Sequence, residues 1–480
     1  MKPSLAAIVL AAGRGTRMRS QCAKVLHEIA GKPMVSHAVQ AVAAVKPELL
    51  VLVVGHQARD VEKVARQALP DCKLVVSRQD RQLGTAHAAY AGMRILPTEF
   101  SGDVLICYGD LPLLKPATLR EFLKEHRASS SLVSFISIQS DKGGAYGRVL
   151  RNTSGEVEAI VEARDATPAQ LAITEVNTGI YLIEAKFLRW ALDQVQSNNT
   201  QGEYYLTDVI AIARGSGVKV KAWVAPNPAE FIGINSREEL AQVEAQVRLE
   251  INRRLMDAGV TLVDPATAYI GPEVTIGEDT IIGPNVQILG KSHIGRGVMI
   301  EGTAWLRDVT ICDRSHLKLG VRAEQCFIGE ECEVGPFANL REGTRLEGHN
   351  RIGNFVETKK ATIGSGTKAS HLSYLGDAVI GPDTNVGCGV ITVNYDGYDK
   401  HLTRIGARCM VGCDTQLVAP VTLGDDVYVA SGTTILHDVA DGSLVMSHHP
   451  QREKPGWTRT WHARHANHPK MLTNAKRRSD

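Results

Sequence analysis

Two groups of residues in this chain are spaced for chemistry. Near the start, the apolar run Ala6 to Leu10 opens into Ala11-Ala12-Gly13-Arg14-Gly15-Thr16-Arg17-Met18, with Lys24 following. Glycines after a buried strand let backbone N–H groups converge on phosphate oxygens, and Arg17 and Lys24 add charge where a triphosphate would lie. The dinucleotide fingerprint is only half met, because Met18 occupies its third glycine position, and no Gly-Lys-Ser/Thr follows at P-loop spacing. Taken alone, the motif is also compatible with a bare turn. Further on, Gln79 to Thr85 reads as a polar loop entering a helix and suited to a base edge. Tyr108-Gly109-Asp110 ends an apolar strand on a carboxylate, a natural Mg²⁺ ligand beside phosphates.

The second group lies near the other end. His371 precedes Leu372-Ser373-Tyr374, with Asn354 to Lys360 before it and Thr392 to Gly397 after it. An imidazole titrates near neutrality and can take a proton from an attacking amine. A lone His at a bend is otherwise an ordinary surface residue, so its neighbours decide the matter.

The elements that must position these groups differ in texture. Apolar runs (Ala6 to Ala12, Leu49 to Val54, Lys73 to Val76, Val104 to Tyr108, Leu132 to Ile138) alternate with helical stretches (Met34 to Val45, Ala58 to Ala68). That is an α/β domain with a largely parallel sheet buried on both faces. From Ile270 the chain counts in sixes: Ile270, Ile276, Ile282, Ile288, Ile294, Ile300 and Leu306 are all aliphatic, and four of the seven precede Gly. If roughly a quarter of residues are Ile, Leu or Val, such a run arises by chance about once in ten thousand starting points. The count resumes at Ile328, Val334, Leu340, Leu346 and Ile352, at Ile380 and Val386, and from Ile405 through Val411, Leu417, Leu423 and Val429 to Ile435.

A period of six matches neither helix nor alternating strand, but it fits a parallel β-helix. Each inward aliphatic marks one side of a coil, and the following Gly is expected to serve positive φ or close approach. Three sides make a coil of about eighteen residues. The gap between Ile352 and Ile380 reads as an interruption, and breaks in a solenoid tend to be loops on a binding face. Ser236 with Glu239 three residues later predicts a capping box, a helix through about Asp257 and a stop near Gly259. That helix should join the two halves.

The ordered set of motifs resembles the sugar-1-phosphate nucleotidylyltransferases: the leading loop, Gln79, Leu83-Gly84-Thr85, Tyr108-Gly109-Asp110, Tyr146-Gly147-Arg148, Glu162, Asn177-Thr178-Gly179, Glu203-Tyr204-Tyr205 and Gly233-Ile234-Asn235. Followed by the six-residue repeat, it is similar, over residues 5 to 460, to the bifunctional bacterial N-acetylglucosamine-1-phosphate uridylyltransferase and glucosamine-1-phosphate N-acetyltransferase family. The resemblance implies a Rossmann-like α/β nucleotidyltransferase domain over 1–235, a linker helix over 236–259, a left-handed parallel β-helix of hexapeptide repeats over 260–448 and a basic tail over 449–480.

It further implies that Leu10, Ala11, Ala12, Gly13, Lys24, Gln79, Gly84, Thr85, Tyr108, Gly109 and Asp110 hold UTP, with Gly147, Glu162 and Asn177 on the sugar. Asp110 and Asn235 would bind Mg²⁺, with Arg17 and Lys24 neutralising charge during in-line attack on the α-phosphorus. On the β-helix, Arg341, Lys359, Tyr374 and Asn385 would hold glucosamine 1-phosphate while His371 deprotonates its amine. Glu357 is the candidate to orient that His. Asn394, Tyr395, Cys413, Ser431 and His448 would line acetyl-CoA. Four positions depart from the family's pattern: Ala23 for Pro, Cys413 for Ser, Ser431 for Ala and His448 for Arg. The last should weaken contact with CoA phosphates.

The product would be UDP-N-acetylglucosamine, a precursor of peptidoglycan and lipopolysaccharide. A single prism offers one side of a cleft, so a homotrimer is expected, with the tail around Trp457 and Arg459 either completing a neighbour's CoA pocket or solvated. The alternative is a monofunctional nucleotidylyltransferase whose β-helix serves assembly or regulation.

Composition bounds these readings. The chain has 480 residues, 22% charged and 44% hydrophobic, with net charge +2. Residues 451–480 carry eight Lys or Arg against two acids, an excess of six that leaves the rest at −4. A nucleic-acid surface is therefore not written across the body, and the last twenty residues are expected to be poorly ordered without a partner. No apolar run reaches bilayer length, and the start reads as a first strand rather than a signal peptide. Nine cysteines without a Cys-x-x-Cys pair read as reduced thiols in a cytoplasmic protein.

Overall fold

In the computed structural model the described residues are 4–141, 143–447 and 451–466. The chain divides after Ser292 into two compact units. In the first, strands β1 (Leu5–Ala11), β2 (Leu49–Val54), β3 (Leu74–Arg78), β4 (Asp103–Tyr108), β5 (Val133–Gln139), β6 (Glu175–Glu184) and β7 (Val220–Val224) lie in the order β7-β5-β6-β4-β1-β2-β3. All neighbours run parallel except β6, which is antiparallel to both β4 and β5.

The continuous apolar runs follow from two covered faces. Ala7, Val9 and Leu52 pack on one side with Val35 and Val39 of helix Met34–Ala43 and Val61 of helix Ala58–Ala68. Ile8, Val51 and Val53 pack on the other with Ala86, Ala89 and Met93 of helix Thr85–Met93. Because β1 to β4 are mutually parallel, the loops after Ala11, Val54, Arg78 and Tyr108 emerge at one edge of the sheet, where ligands of such sheets bind.

The capping box forms as the sequence requires. The Ser236 side chain accepts from the Glu239 N–H, and helix Arg237–Asp257 follows. Its Val243 packs with Ile29, Met34 and Ile234. Its buried Asn252 donates to the carbonyls of Pro265 and Ala268 at 2.8 and 3.0 Å. The first coil strands belong to this unit, with Leu262 beside Ile282 and Ile270 beside Ile288.

The second unit is a parallel β-helix. On one face His316, Glu333, Arg351, Lys368, Asn385, Met410 and Tyr428 pair in succession, each one coil on from the last. The step is 17 or 18 residues except from Asn385 to Met410, where the excursion after Val393 lengthens the coil. All the six-spaced aliphatics are buried except Ile276, which is half-buried. Full burial of each is worth roughly 1.5–3 kcal/mol.

One expectation needs correction. The stretch between Ile352 and Ile380 is not a break. Thr358, Ile363, Ala369 and Leu375 continue the buried column, and strands Glu357–Ile363 and Tyr374–Ile380 each run round a corner. A five-residue side and a small or polar inward residue disguise the period. Of the two uses expected for the Gly after an aliphatic, close approach is the common one, and Gly335 after Val334 takes positive φ, +99°. A Cβ on Gly329 would stand 2.7 Å from the Glu347 backbone of the next coil. Left-handed φ recurs three residues after the aliphatic, at Glu331 after Ile328, Phe337 after Val334, Asp383 after Ile380 and Asp414 after Val411.

Inside one corner a column of small polar residues latches coil to coil. Ser315 Oγ donates to the Gly329 carbonyl at 2.7 Å, Asn350 Nδ2 to Gly364 at 2.7 Å, Thr367 Oγ1 to Gly381 at 2.7 Å and Thr384 Oγ1 to Gly406 at 2.9 Å. These buried polar groups are thus satisfied. No described helix is long and apolar enough to cross a membrane.

Candidate active sites

At the sheet edge, the Gly109 N–H donates to the Leu10 carbonyl at 2.9 Å, which brings Asp110 beside the loop after β1. Two short helical turns, Thr16–Met18 and Lys24–Leu26, carry Arg17 and Lys24. Arg17 is exposed, whereas Lys24 turns inward. Its ammonium pairs with Asp110 Oδ2 and donates to Asn235 Oδ1 at 3.1 Å. Asn235 is set by its N–H, which donates to Glu239 Oε2 at 2.6 Å. Residues far apart in sequence therefore place two oxygens around one positive charge.

The loop from Gln79 to Thr85 is clamped from below. The Tyr204 N–H donates to Leu83 at 2.8 Å and its carbonyl accepts from Ala86 at 2.9 Å. Gly84 sits at φ +116° against the Tyr204 backbone, which leaves no room for a Cβ. Thr85 Oγ1 accepts from the Leu206 N–H at 2.9 Å. Gln79 is buried, with Nε2 donating to the Gly84 carbonyl at 3.2 Å, and Gln82 Nε2 donates to the Ala12 carbonyl at 2.6 Å. The run Glu203-Tyr204-Tyr205 acts here as the support of the loop.

A third wall holds Gly147, Glu162 and Asn177. The Asn177 N–H donates to Gly147 at 2.8 Å, and its side chain donates to the Tyr181 hydroxyl at 2.7 Å. The Tyr146 hydroxyl donates to the Phe231 carbonyl at 2.9 Å and accepts from the Gly233 N–H at 3.1 Å, tying this wall to the Asn235 segment. Glu162 accepts from Thr207 Oγ1 at 3.1 Å. Burial, then Asp208 and Asp165, raise its carboxyl above the usual range. Asp208 is raised to about 6, by burial first and then by Asp165. Burial also pushes the Tyr108 hydroxyl well up, keeping it neutral.

On the β-helix, Asn354 and His371 are register partners on adjacent coils. His371 is exposed, and its Nδ1 lies 3.0 Å from Asn354 Oδ1. An oxygen facing Nδ1 favours the tautomer protonated there, which points Nε2 away from Asn354 as the acceptor for an incoming proton. Sequence reasoning missed Asn354, although its separation from His371 equals one coil. Glu357, expected to orient the His, is instead bound by Arg341 Nη1 at 2.8 Å. It lies on the strand after the corner, in register with Tyr374, so its carboxylate faces Arg341 one coil back.

Arg341, Lys359 and Tyr374 gather beside that corner. Lys359 Nζ is 3.1 Å from Glu342. A cleft of 290 Å³ is lined by Arg322, Glu324, Asn339, Leu340, Arg341 and Glu342. Asn385 does not join them: it stands on the His371 face, in register with Lys368 and Met410. Asn394 and Tyr395 open the excursion at the far end of the Tyr374 face, where Asn394 Nδ2 bonds Asp377 and the Tyr395 hydroxyl donates to the Gly397 carbonyl at 2.6 Å. Cys413 and Ser431 lie in the column that continues from His371. His448 is outside the described residues, as are the last fourteen of the tail. Trp457 and Trp461 lie on helix Trp457–Arg464 with rings stacked at 5.2 Å.

Residues 7–251 match the family model described as MobA-like NTP transferase domain, and 273–308 match Bacterial transferase hexapeptide (six repeats). The chain is 46% identical over 452 residues to "Bifunctional protein GlmU" of Trichlorobacter lovleyi, covering 94% of this chain and 97% of that one. It is 46% identical to the protein of the same name from Pelobacter propionicus, covering 95% and 98%. Against that of Mycobacterium bovis it is 43% identical, covering 94% and 92%.

Proposed function

The chain belongs to the GlmU family of bifunctional proteins, and from that premise we propose a two-step synthesis of UDP-N-acetylglucosamine on two separate sites. Acetyl-CoA first acetylates glucosamine 1-phosphate on the β-helix. UTP then converts N-acetylglucosamine 1-phosphate to UDP-N-acetylglucosamine on the α/β sheet, releasing pyrophosphate. The functional divisions are 1–235, 236–259, 260–448 and 449–480, and the enzyme works in the bacterial cytoplasm. The observation that carries this reading is the pairing, in one chain, of a glycine-rich loop that brings Lys24 onto Asp110 at the sheet edge and an exposed imidazole, His371, held at Nδ1 by Asn354.

In the acetyl-transfer step, Nε2 of His371 takes the proton from the sugar amine, which attacks the thioester carbonyl. Arg341 and Lys359 bind the sugar phosphate, and Tyr374 and Asn385 position the ring. Asn394, Tyr395, Cys413, Ser431 and His448 line the acetyl-CoA. Within one chain Asn385, Asn394 and Tyr395 stand apart from Tyr374 and Arg341, on another face or at another corner. That separation supports a homotrimer whose acetyl-transfer sites complete at seams between copies.

In the uridylyl step, Leu10 to Gly13, Gln79, Gly84, Thr85, Tyr108 and Gly109 hold the nucleotide, and Gly147, Glu162 and Asn177 hold the sugar. Arg17 and Lys24 neutralise phosphate charge as the sugar phosphate attacks in line. Asp110 and Asn235 already converge their oxygens on a cation, the Lys24 ammonium, and two hard oxygen donors beside phosphates fit Mg²⁺. They would hold that ion, which would supply further neutralisation.

The test separates the sites. Asp110→Ala should lose Mg²⁺-dependent pyrophosphate release while CoA thiol release from acetyl-CoA and glucosamine 1-phosphate continues. Retained Mg²⁺-dependent release would place the metal elsewhere.

A further inference from the structure

Of nine cysteines, only Cys388 and Cys413 are exposed. The buried Cys326 and Cys332 are pushed up to about 12 and about 11 by burial, which keeps them as inert thiols. The exposed two are neighbours. Asn385 and Val386 pair in register with Met410 and Val411, so two residues on Cys388 and Cys413 occupy the same place on adjacent coils. The Asp414 N–H donates to the Cys388 carbonyl at 2.7 Å, fixing that alignment beyond the strand. One coil earlier in the same column stands His371, since Lys368 and Ala369 pair with Asn385 and Val386. The Gly389 N–H donates to the Leu372 carbonyl at 2.9 Å. Residues stacked in register lie roughly 4.8 Å apart, inside the span of Cα separations that a disulfide bridges.

We propose that Cys388 and Cys413 form an oxidisable dithiol that closes to a disulfide beside His371 and switches off acetyl transfer. This consequence rests on the acetyltransferase reading of that column, whereas the bond itself does not. The oxidant is a small-molecule disulfide. One cysteine thiolate attacks a sulfur of RSSR, expelling RS⁻, and the second thiolate attacks the mixed disulfide, expelling the other RS⁻. Two cysteine thiols are oxidised, the small disulfide is reduced to two thiols, and two protons pass from the cysteines to the leaving thiolates. The bond draws two side chains on the pantetheine-facing column together, next to the base. Cys413 no longer offers a thiol to acetyl-CoA, while the α/β unit is untouched.

The experiment treats the full-length protein with glutathione disulfide, alkylates with iodoacetamide and maps the peptides by mass spectrometry. A linked Cys388–Cys413 peptide pair is expected, together with an acetyl-transfer rate that falls at least fivefold and recovers with dithiothreitol. Uridylyl transfer should be unchanged in the same sample. In Cys388→Ser the linked pair is absent, and glutathione disulfide should produce no fivefold fall relative to that variant's own untreated rate. Both cysteines recovered alkylated, or only separate glutathione adducts, would overturn the dithiol. A linked pair with an unchanged acetyl-transfer rate would overturn the switch. A linked pair in a protein that never releases CoA thiol would instead overturn the acetyltransferase reading and leave the bond standing.

Discussion

Replacing Asn354 by Leu removes the oxygen 3.0 Å from His371 Nδ1 while keeping a side chain of similar size at a half-buried position. Without that acceptor the imidazole is free to rotate and to place its proton on Nε2, the nitrogen that must be bare. One hydrogen bond of this type contributes about 1 kcal/mol net, so kcat/KM for acetyl transfer should fall about fivefold. Asn354→Asp keeps the acceptor and adds a negative charge beside the ring. It should retain most of the rate, and the acid limb of its pH–rate profile should move to higher pH. The assay is CoA thiol release over a pH series, with uridylyl transfer in the same preparations as a control. An Asn354→Leu rate equal to the parent's would show that Asn354 does not position the base. Equal loss of both activities would show damage to the fold.

Three further outcomes are expected. Arg341→Ala should raise KM for glucosamine 1-phosphate by about ten- to a hundredfold with kcat less affected, the scale of a lost charge-assisted contact; an unchanged KM would remove Arg341 from the phosphate site. Thr367→Val strips the donor to the Gly381 carbonyl and the acceptor of the Thr384 N–H at 3.1 Å, so a urea melt should show a loss of about 1–3 kcal/mol, and a loss below about 0.5 would refute the latch. Asp208, raised to about 6 when folded, stays protonated where the unfolded chain has already lost its proton, so stability falls as pH climbs from about 4 to about 6. Asp208→Asn should therefore melt higher than the parent above pH 6, with the gain vanishing towards pH 4; a pH-independent gain would point to packing instead.

Much of this architecture is legible because its signals are periodic or local. The parallel sheet announces itself in runs such as Leu49–Val54, which must be apolar on both faces, and the long helix in Ser236 with Glu239. The coils are visible wherever three sides of six follow one another. They disappear where a five-residue side shifts the phase, as between Thr358 and Ile363, and where Thr358 or Ala369 replaces the aliphatic. Side-chain partnerships were harder to read. Glu357 is close to the His371 column in sequence, yet the corner at Phe355 turns its strand to another face, and the partner is Asn354, one coil before His371 in the same column. The same rule of one coil per step aligns Cys388 with Cys413, an alignment invisible to local spacing because the excursion after Val393 lengthens that coil.

The central claim is two separable active sites in one chain. The most direct measurement supplies glucosamine 1-phosphate, acetyl-CoA and UTP with Mg²⁺ to His371→Ala, to Asp110→Ala and to their mixture, and follows UDP-N-acetylglucosamine. Neither variant alone should make it, and the mixture should, because the acetylated sugar phosphate leaves one protein and is used by the other. Product from either single variant, or none from a mixture of two well-folded proteins, would contradict the account.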